Sequence, residues 1–124
     1  MIPSGQILIV DDDPALLAAI RMFLTRRGYT VTSCRSAEDA WRQFQAQPDE
    51  YSAALIDMTL PRMSGEQLIA KLVQIKPSIA LIACSGYQVD VRKLQSSADQ
   101  RITYLQKPFT PKTLVDAVKR VWQD

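Results

Sequence analysis

No histidine occurs anywhere in the 124-residue chain. A Ser-His-Asp or Cys-His mechanism is thereby excluded, as is any His-ligated metal. Cysteine is almost as scarce. Cys34 and Cys84 each sit in an apolar run that reads as a strand, and no other Cys or His accompanies them. Two buried thiols are therefore expected, in place of a disulfide or a metal pair. Long apolar runs are missing too, so no segment is expected to span a bilayer. The opening Met1-Ile2-Pro3-Ser4-Gly5 lacks the basic and apolar leader of a signal peptide, which points to a cytoplasmic protein. Excess charge is absent as well. A dispersed net charge of +2 is too weak to argue direct nucleic-acid binding.

What the chain does have is apolar content, 47% of its residues, ample for the core of one domain covering 1–124. Gln6-Ile7-Leu8-Ile9-Val10 is a continuous apolar run, as expected of a strand buried on both faces of a parallel sheet. Asp13 then reads as a helix N-cap with Pro14 at the first helical position, and Gly28 closes that helix. Thr30 to Cys34 reads as a second strand, and Ser36 with Asp39 opens a second helix reaching about Gln47. Ala53 to Asp57 is a third strand, and Ser64 with Gln67 begins a helix that Pro77 ends. Ile79 to Cys84 is a fourth strand, a weaker helix spans roughly Val89 to Ser97, and Ile102 to Gln106 is a short fifth strand. Thr110 caps a last helix, opened by Pro111 and reaching Trp122. Strands alternating with helices in this way imply right-handed βαβ units in an open parallel α/β sheet.

Such sheets bind ligands outside the carboxyl ends of their strands. Asp11 and Asp12 follow the first strand, Asp57 ends the third, Ser85 follows the fourth and Lys107 the fifth. Like charges packed together repel unless a cation neutralises them. Mg²⁺ suits that task because it prefers oxygen ligands and bridges carboxylates to phosphate. A carboxylate can also act as a nucleophile and form an acyl phosphate, with lysine and hydroxyl stabilising the charge that develops. Each residue alone has a plainer explanation. Asp13 is better read as a cap, a lone Lys107 would be a solvated surface lysine, and Ser85-Gly86 would be a turn. Their joint placement at four strand ends carries the argument.

Val10-Asp11-Asp12-Asp13, Asp57-Met58-Thr59-Leu60-Pro61 with Met63-Ser64-Gly65, Ser85-Gly86 and Lys107-Pro108-Phe109 resemble the motifs of response-regulator receiver domains, the CheY-like family. The match runs in order along essentially the whole chain. It implies a flavodoxin-like, doubly wound (βα)5 fold of strand order 2-1-3-4-5, with Asp57 as phosphoacceptor. It also implies Mg²⁺ contacted directly by Asp12, Asp57 and the Thr59 backbone carbonyl, and by Asp11 mainly through water. Ser85 would hydrogen-bond the phosphoryl oxygens, Lys107 would pair with them, and the bond before Pro108 would be cis. Tyr104 stands where the family has an aromatic that reorients on activation. That strand order separates Cys34 from Cys84, a further argument against a disulfide. Two features depart from the pattern: Ser85 stands where many members carry Thr, and the polar Ser96 to Arg101 makes a poor fourth helix.

The resemblance implies a phosphohistidine donor, a histidine kinase or a histidine phosphotransfer protein, and admits a phosphorylation-dependent dimer. Only self-catalysed transfer and slow autodephosphorylation would count as enzymatic. No DNA-binding helix-turn-helix follows Trp122, so any output domain is expected to lie outside this chain or to be absent. The Ser85-Gly86-Tyr87 and Leu105 to Phe109 stretches are similar to receivers fused to hybrid sensor kinases, with a stand-alone regulator as the alternative. A haloacid-dehalogenase-like phosphatase is the enzymatic rival, because Asp11-x-Asp13 mimics its nucleophile motif, although no later acidic pair is evident. A receiver-like binding module that never takes phosphate is the other rival. On the first helix, Leu17, Ile20 and Leu24 share the stripe expected to face the sheet. Ala15, Ala18, Ala19 and Met22 fall opposite. Alanines form helices without needing a partner, but Met22 fits a docking face for the phosphodonor better.

Overall fold

The computed structural model describes residues 4–95 and 100–122. Five strands, β1 (Gln6–Val10), β2 (Thr30–Cys34), β3 (Tyr51–Asp57), β4 (Ala80–Ser85) and β5 (Ile102–Gln106), form one sheet in the order β2-β1-β3-β4-β5. All neighbouring pairs are parallel. Among the described residues three helices connect successive strands, α1 (Pro14–Arg26), α2 (Ala37–Ala46) and α3 (Gly65–Ile75), and a fourth, α4 (Pro111–Val121), follows β5. The expected fold class and strand order are both found.

Because side chains alternate across a strand, each buried strand feeds two cores. Ile7 and Ile9 of β1, with Ala53 and Leu55 of β3, face the layer that holds α1 and α4. Leu8 and Val10, with Ala54 and Ile56, face α2 and α3, where Phe44 is fully buried. The continuous apolar runs are therefore needed on both sides. Cys34 belongs to the second layer and Cys84 to the first, so the sheet lies between the two free thiols.

Local signals place most helix ends. The Asp13 carboxylate accepts from the N–H groups of Ala15 and Leu16, and Gly28 leaves α1 at φ +94°. Ser64 with Gln67, and Thr110 with Thr113, make complete capping boxes. At α2 only half of the box forms. Ser36 accepts from Asp39 N–H, while the Asp39 carboxylate turns to Arg42.

The structure corrects the expected helix over Val89 to Ser97. Up to residue 95 there is only a 3-10 turn, Val91–Lys93; Ser96 and Ser97 lie outside the described residues. The Asp90 carboxylate accepts from Arg92 N–H two residues on, a tight local bond that competes with helix propagation. Gln95 then donates from its side chain to the Gln100 carbonyl at the entry to β5. β3 also starts two residues earlier than expected, at Tyr51, because a short 3-10 turn, Pro48–Glu50, delivers the chain directly onto the sheet.

Candidate functional site

The carboxyl ends of β1, β3, β4 and β5 meet at one edge of the sheet. Asp11 continues the ladder beyond β1, donating its N–H to the Cys34 carbonyl (3.1 Å). Its Oδ1 accepts from Asp13 N–H (2.9 Å) and its Oδ2 from the Lys107 ammonium (2.7 Å). Asp57 closes β3 and is buried. Its Oδ1 accepts from the backbone N–H (3.0 Å) and the hydroxyl (2.8 Å) of Thr59, while Oδ2 lies 3.4 Å from Lys107 Nζ. Asp12 is exposed at the rim. Oxygen atoms of Asp11, Asp12 and Asp57 all lie within 4.8 Å of one another.

Lys107 reaches this cluster because its N–H donates to the Ser85 carbonyl (2.7 Å), extending β5 past its last residue. The Lys107-Pro108 bond is cis, as the resemblance implies. Burial pushes the Asp11 carboxyl above its ordinary range, against the opposing bond from Lys107. For Lys107, burial favours the neutral amine, but the Asp11 bond and the charges of Asp11 and Asp57 outweigh it and hold the ammonium above its usual value. Three carboxylates against one ammonium leave two negative charges in excess. An oxygen-only donor set with that deficit fits a hard divalent cation such as Mg²⁺.

The remaining residues singled out in the sequence lie around this cluster. Ser85, fully buried, is the last residue of β4, where a strand ending at Cys84 was expected; its hydroxyl accepts from Tyr87 N–H (3.0 Å). Tyr104, half-buried on β5, donates its hydroxyl to the carbonyls of Tyr87 (2.6 Å) and Ser85 (3.2 Å). It therefore holds the loop that follows β4. Along α1, Leu17, Ile20 and Leu24 are buried, Ala15, Ala18 and Met22 are exposed, and Ala19 is half-buried. One further constraint has no signature in composition or periodicity. A side-chain carbon on Gly65, at the start of α3, would stand 2.5 Å from the Asp57 carbonyl oxygen.

The family model for the response regulator receiver domain matches residues 7–119. This chain belongs to the receiver-domain family. Receiver domains are the phosphoacceptors of two-component systems and act with phosphodonor kinases, and the Asp11, Asp12 and Asp57 pocket fits their Mg²⁺ site. The chain is 31% identical over 118 residues to the transcriptional regulatory protein SrrA of Staphylococcus aureus. That alignment covers 94% of the chain and 47% of SrrA, so the chain spans about half the length of the curated relatives it matches. Among solved structures it is similar to a CheY-like receiver domain protein from Methanospirillum hungatei, with 30% identity and a TM-score of 0.80 over 94% of this chain and 92% of that one. It is also similar to a response regulator from Burkholderia pseudomallei solved with a phosphorylated aspartic acid and a calcium ion. There the identity is 25% and the TM-score 0.77, over 92% of this chain and 66% of that one. The family match decides against the dehalogenase-like rival. Among the described residues, no helix is long and apolar enough to cross a membrane.

Proposed function

We propose that Asp57 takes a phosphoryl group from a phosphohistidine on a partner histidine kinase or histidine phosphotransfer protein, and that the domain switches conformation in response. The observation that carries this reading is the buried Asp57 carboxylate at a strand end, facing Asp11 and Asp12 and 3.4 Å from the Lys107 ammonium. One Asp57 oxygen attacks phosphorus, the phosphorus–nitrogen bond breaks, and its electron pair leaves with the imidazole. The product is an acyl phosphate, later hydrolysed by water. Lys107 neutralises charge on the transferred group, and Ser85 donates to it, since a hydroxyl that accepts one bond keeps its own proton to give. Mg²⁺, held by Asp12, Asp57 and the Thr59 carbonyl and through water by Asp11, would screen the phosphoryl oxygens. Tyr104 reports the change, because its hydroxyl rests on the carbonyls of Ser85 and Tyr87. The same reading places the domain in the cytoplasm and admits a phosphorylation-dependent dimer.

Docking of the donor is assigned to the α1 face of exposed Ala15 and Met22 with half-buried Ala19, which begins directly after Asp11, Asp12 and Asp13. Small side chains let a partner helix approach closely, and Met adapts to it. With acetyl phosphate and MgCl₂ the protein should gain one phosphoryl group by intact mass. Chelation should suppress the gain and Asp57→Asn should abolish it. Unchanged labelling of Asp57→Asn overturns the assignment. Ala19→Glu or Met22→Glu should block transfer from a cognate phosphohistidine protein and spare labelling by acetyl phosphate; equal loss with both donors means that the fold or pocket was damaged, and no loss with either moves the docking face elsewhere.

A further inference from the structure

Between β3 and α3 the chain makes a seven-residue arc, residues 58–64, whose fixings differ along its length. At its start Met58 N–H donates to the Cys84 carbonyl (2.8 Å), and Thr59 is bonded through N–H and hydroxyl to Asp57. Leu60 is buried in the layer beneath α2 and α3. Beyond it Arg62 sits at φ +63°, a left-handed conformation that costs a residue with a side chain about 1 kcal/mol or more. Such a turn persists only where neighbours hold it. The neighbour is Glu38, in the first turn of α2. Its Oε2 accepts from Met63 N–H at 3.2 Å and lies 3.7 Å from the Arg62 guanidinium. The carboxyl is held below its ordinary range by its own backbone N–H, by that of Met63 and by the Arg62 charge, against the opposing pull of burial. It is thus an anion at neutral pH, and its bond to Met63 is charge-assisted.

One detail argues that the contact does more than fill space. The Thr59 end of the arc depends on Asp57 itself. If the Asp57 carboxylate takes up a cation or a phosphoryl group, its Oδ1 can no longer be reserved for Thr59. The Met58 bond to the Cys84 carbonyl still anchors its first residue, but beyond Thr59 the arc is then held by Leu60 and by Glu38.

We infer that Glu38 is a positioning residue for the acidic site, fixing the 58–64 arc from α2 so that the Thr59 carbonyl stays beside Asp57. The inference rests on the functional reading above. It concerns a residue 25 positions from Met63 in sequence that touches no reacting atom. The Arg62 pair contributes little, because its guanidinium is 76% exposed and solvent screens it. The hydrogen bond to Met63 is the working contact.

The test is titration of the metal-free protein with MgCl₂, followed through the backbone amides of Thr59 and Met63. Glu38→Ala should raise the Mg²⁺ dissociation constant about tenfold, the low end of what losing an outer-shell partner costs. Glu38→Gln, which keeps an acceptor for Met63 N–H, should return it close to the parent value. Arg62→Asn, which tolerates the left-handed backbone, should also match the parent. A Glu38→Ala dissociation constant equal to the parent's overturns the inference, as does a Glu38→Gln defect as large as that of Glu38→Ala. Should Glu38→Ala not fold, hydrogen exchange in the parent decides. The Met63 amide should be protected, and exchange at the rate of a free amide refutes the tie. A parent protein showing no response to MgCl₂ at all sinks the metal assignment and the inference together, an outcome distinct from equal binding by parent and variant.

Discussion

Gly65→Ala is a substitution that helix propensity and packing judge in opposite directions. Gly65 has no left-handed φ, so on propensity alone alanine at the start of α3 should stabilise the fold by about 0.4–1 kcal/mol. The added carbon, however, would stand 2.5 Å from the Asp57 carbonyl oxygen and 3.0 Å from both Ile56 Cγ2 and Met58 Cα. Ordinary contacts begin near 3.4 Å, so α3 and the end of β3 must part by roughly 1 Å. Two of the three obstacles are backbone atoms and cannot rotate away. The Ser64–Gln67 capping box also holds the start of α3 in place. Overpacking of this kind costs about 1–3 kcal/mol, so the net expectation is a loss of about 1–2 kcal/mol. Urea unfolding, monitored through the buried Trp122, measures it. The displaced atom belongs to the backbone of Asp57, the proposed phosphoacceptor, and a misplacement of about 1 Å can slow a positioned reaction about 100-fold. Labelling by acetyl phosphate should fall accordingly. Gly86→Ala is the control, since a carbon added there meets nothing within 4 Å, and its stability should match or slightly exceed the parent's. A Gly65→Ala protein as stable as its parent and labelled at the parent rate would refute the reasoning.

Lys107→Ala removes the ammonium that bonds Asp11 at 2.7 Å and faces Asp57 at 3.4 Å. It should still bind Mg²⁺ but take phosphate from acetyl phosphate far more slowly; a parent-like labelling rate removes Lys107 from the chemistry. Burial pushes the thiols of Cys34 and Cys84 up to about 12. Neither should react with iodoacetamide at pH 8 in the native protein, and both should react in urea. Rapid native modification of either contradicts the layer assignment.

The parts legible in the sequence were those decided locally or by period. Asp13, Ser64 and Thr110 cap because their oxygens reach N–H groups two or three residues on, and the strand β1 is readable because both of its faces are apolar. The site was legible for a topological reason, since residues that follow successive parallel strands must share an edge. Reading failed between Val89 and Gln95, where Val89, Val91 and Leu94 give too little period to separate a helix from a turn, and a two-residue bond at Asp90 prevails. It also could not find Glu38 or the tight fit at Gly65. Both depend on how high α2 and α3 sit against the end of β3, and distances across layers leave no pattern along the chain.

The bond between Asp11 and Lys107 joins residues 96 positions apart, from just after the first strand to just after the last. Closing a loop of that length carries an entropy cost. In the folded domain β5 holds Lys107 at the site through β4 and β3, which pair in register beside β1. A chain still emerging from the ribosome, or one clipped before Lys107, can present Asp11, Asp12 and Asp57 but not the ammonium that completes them. On the role proposed for Lys107, competence to receive a signal therefore depends on the whole sheet being complete, and a chain lacking that strand end should take phosphate only slowly.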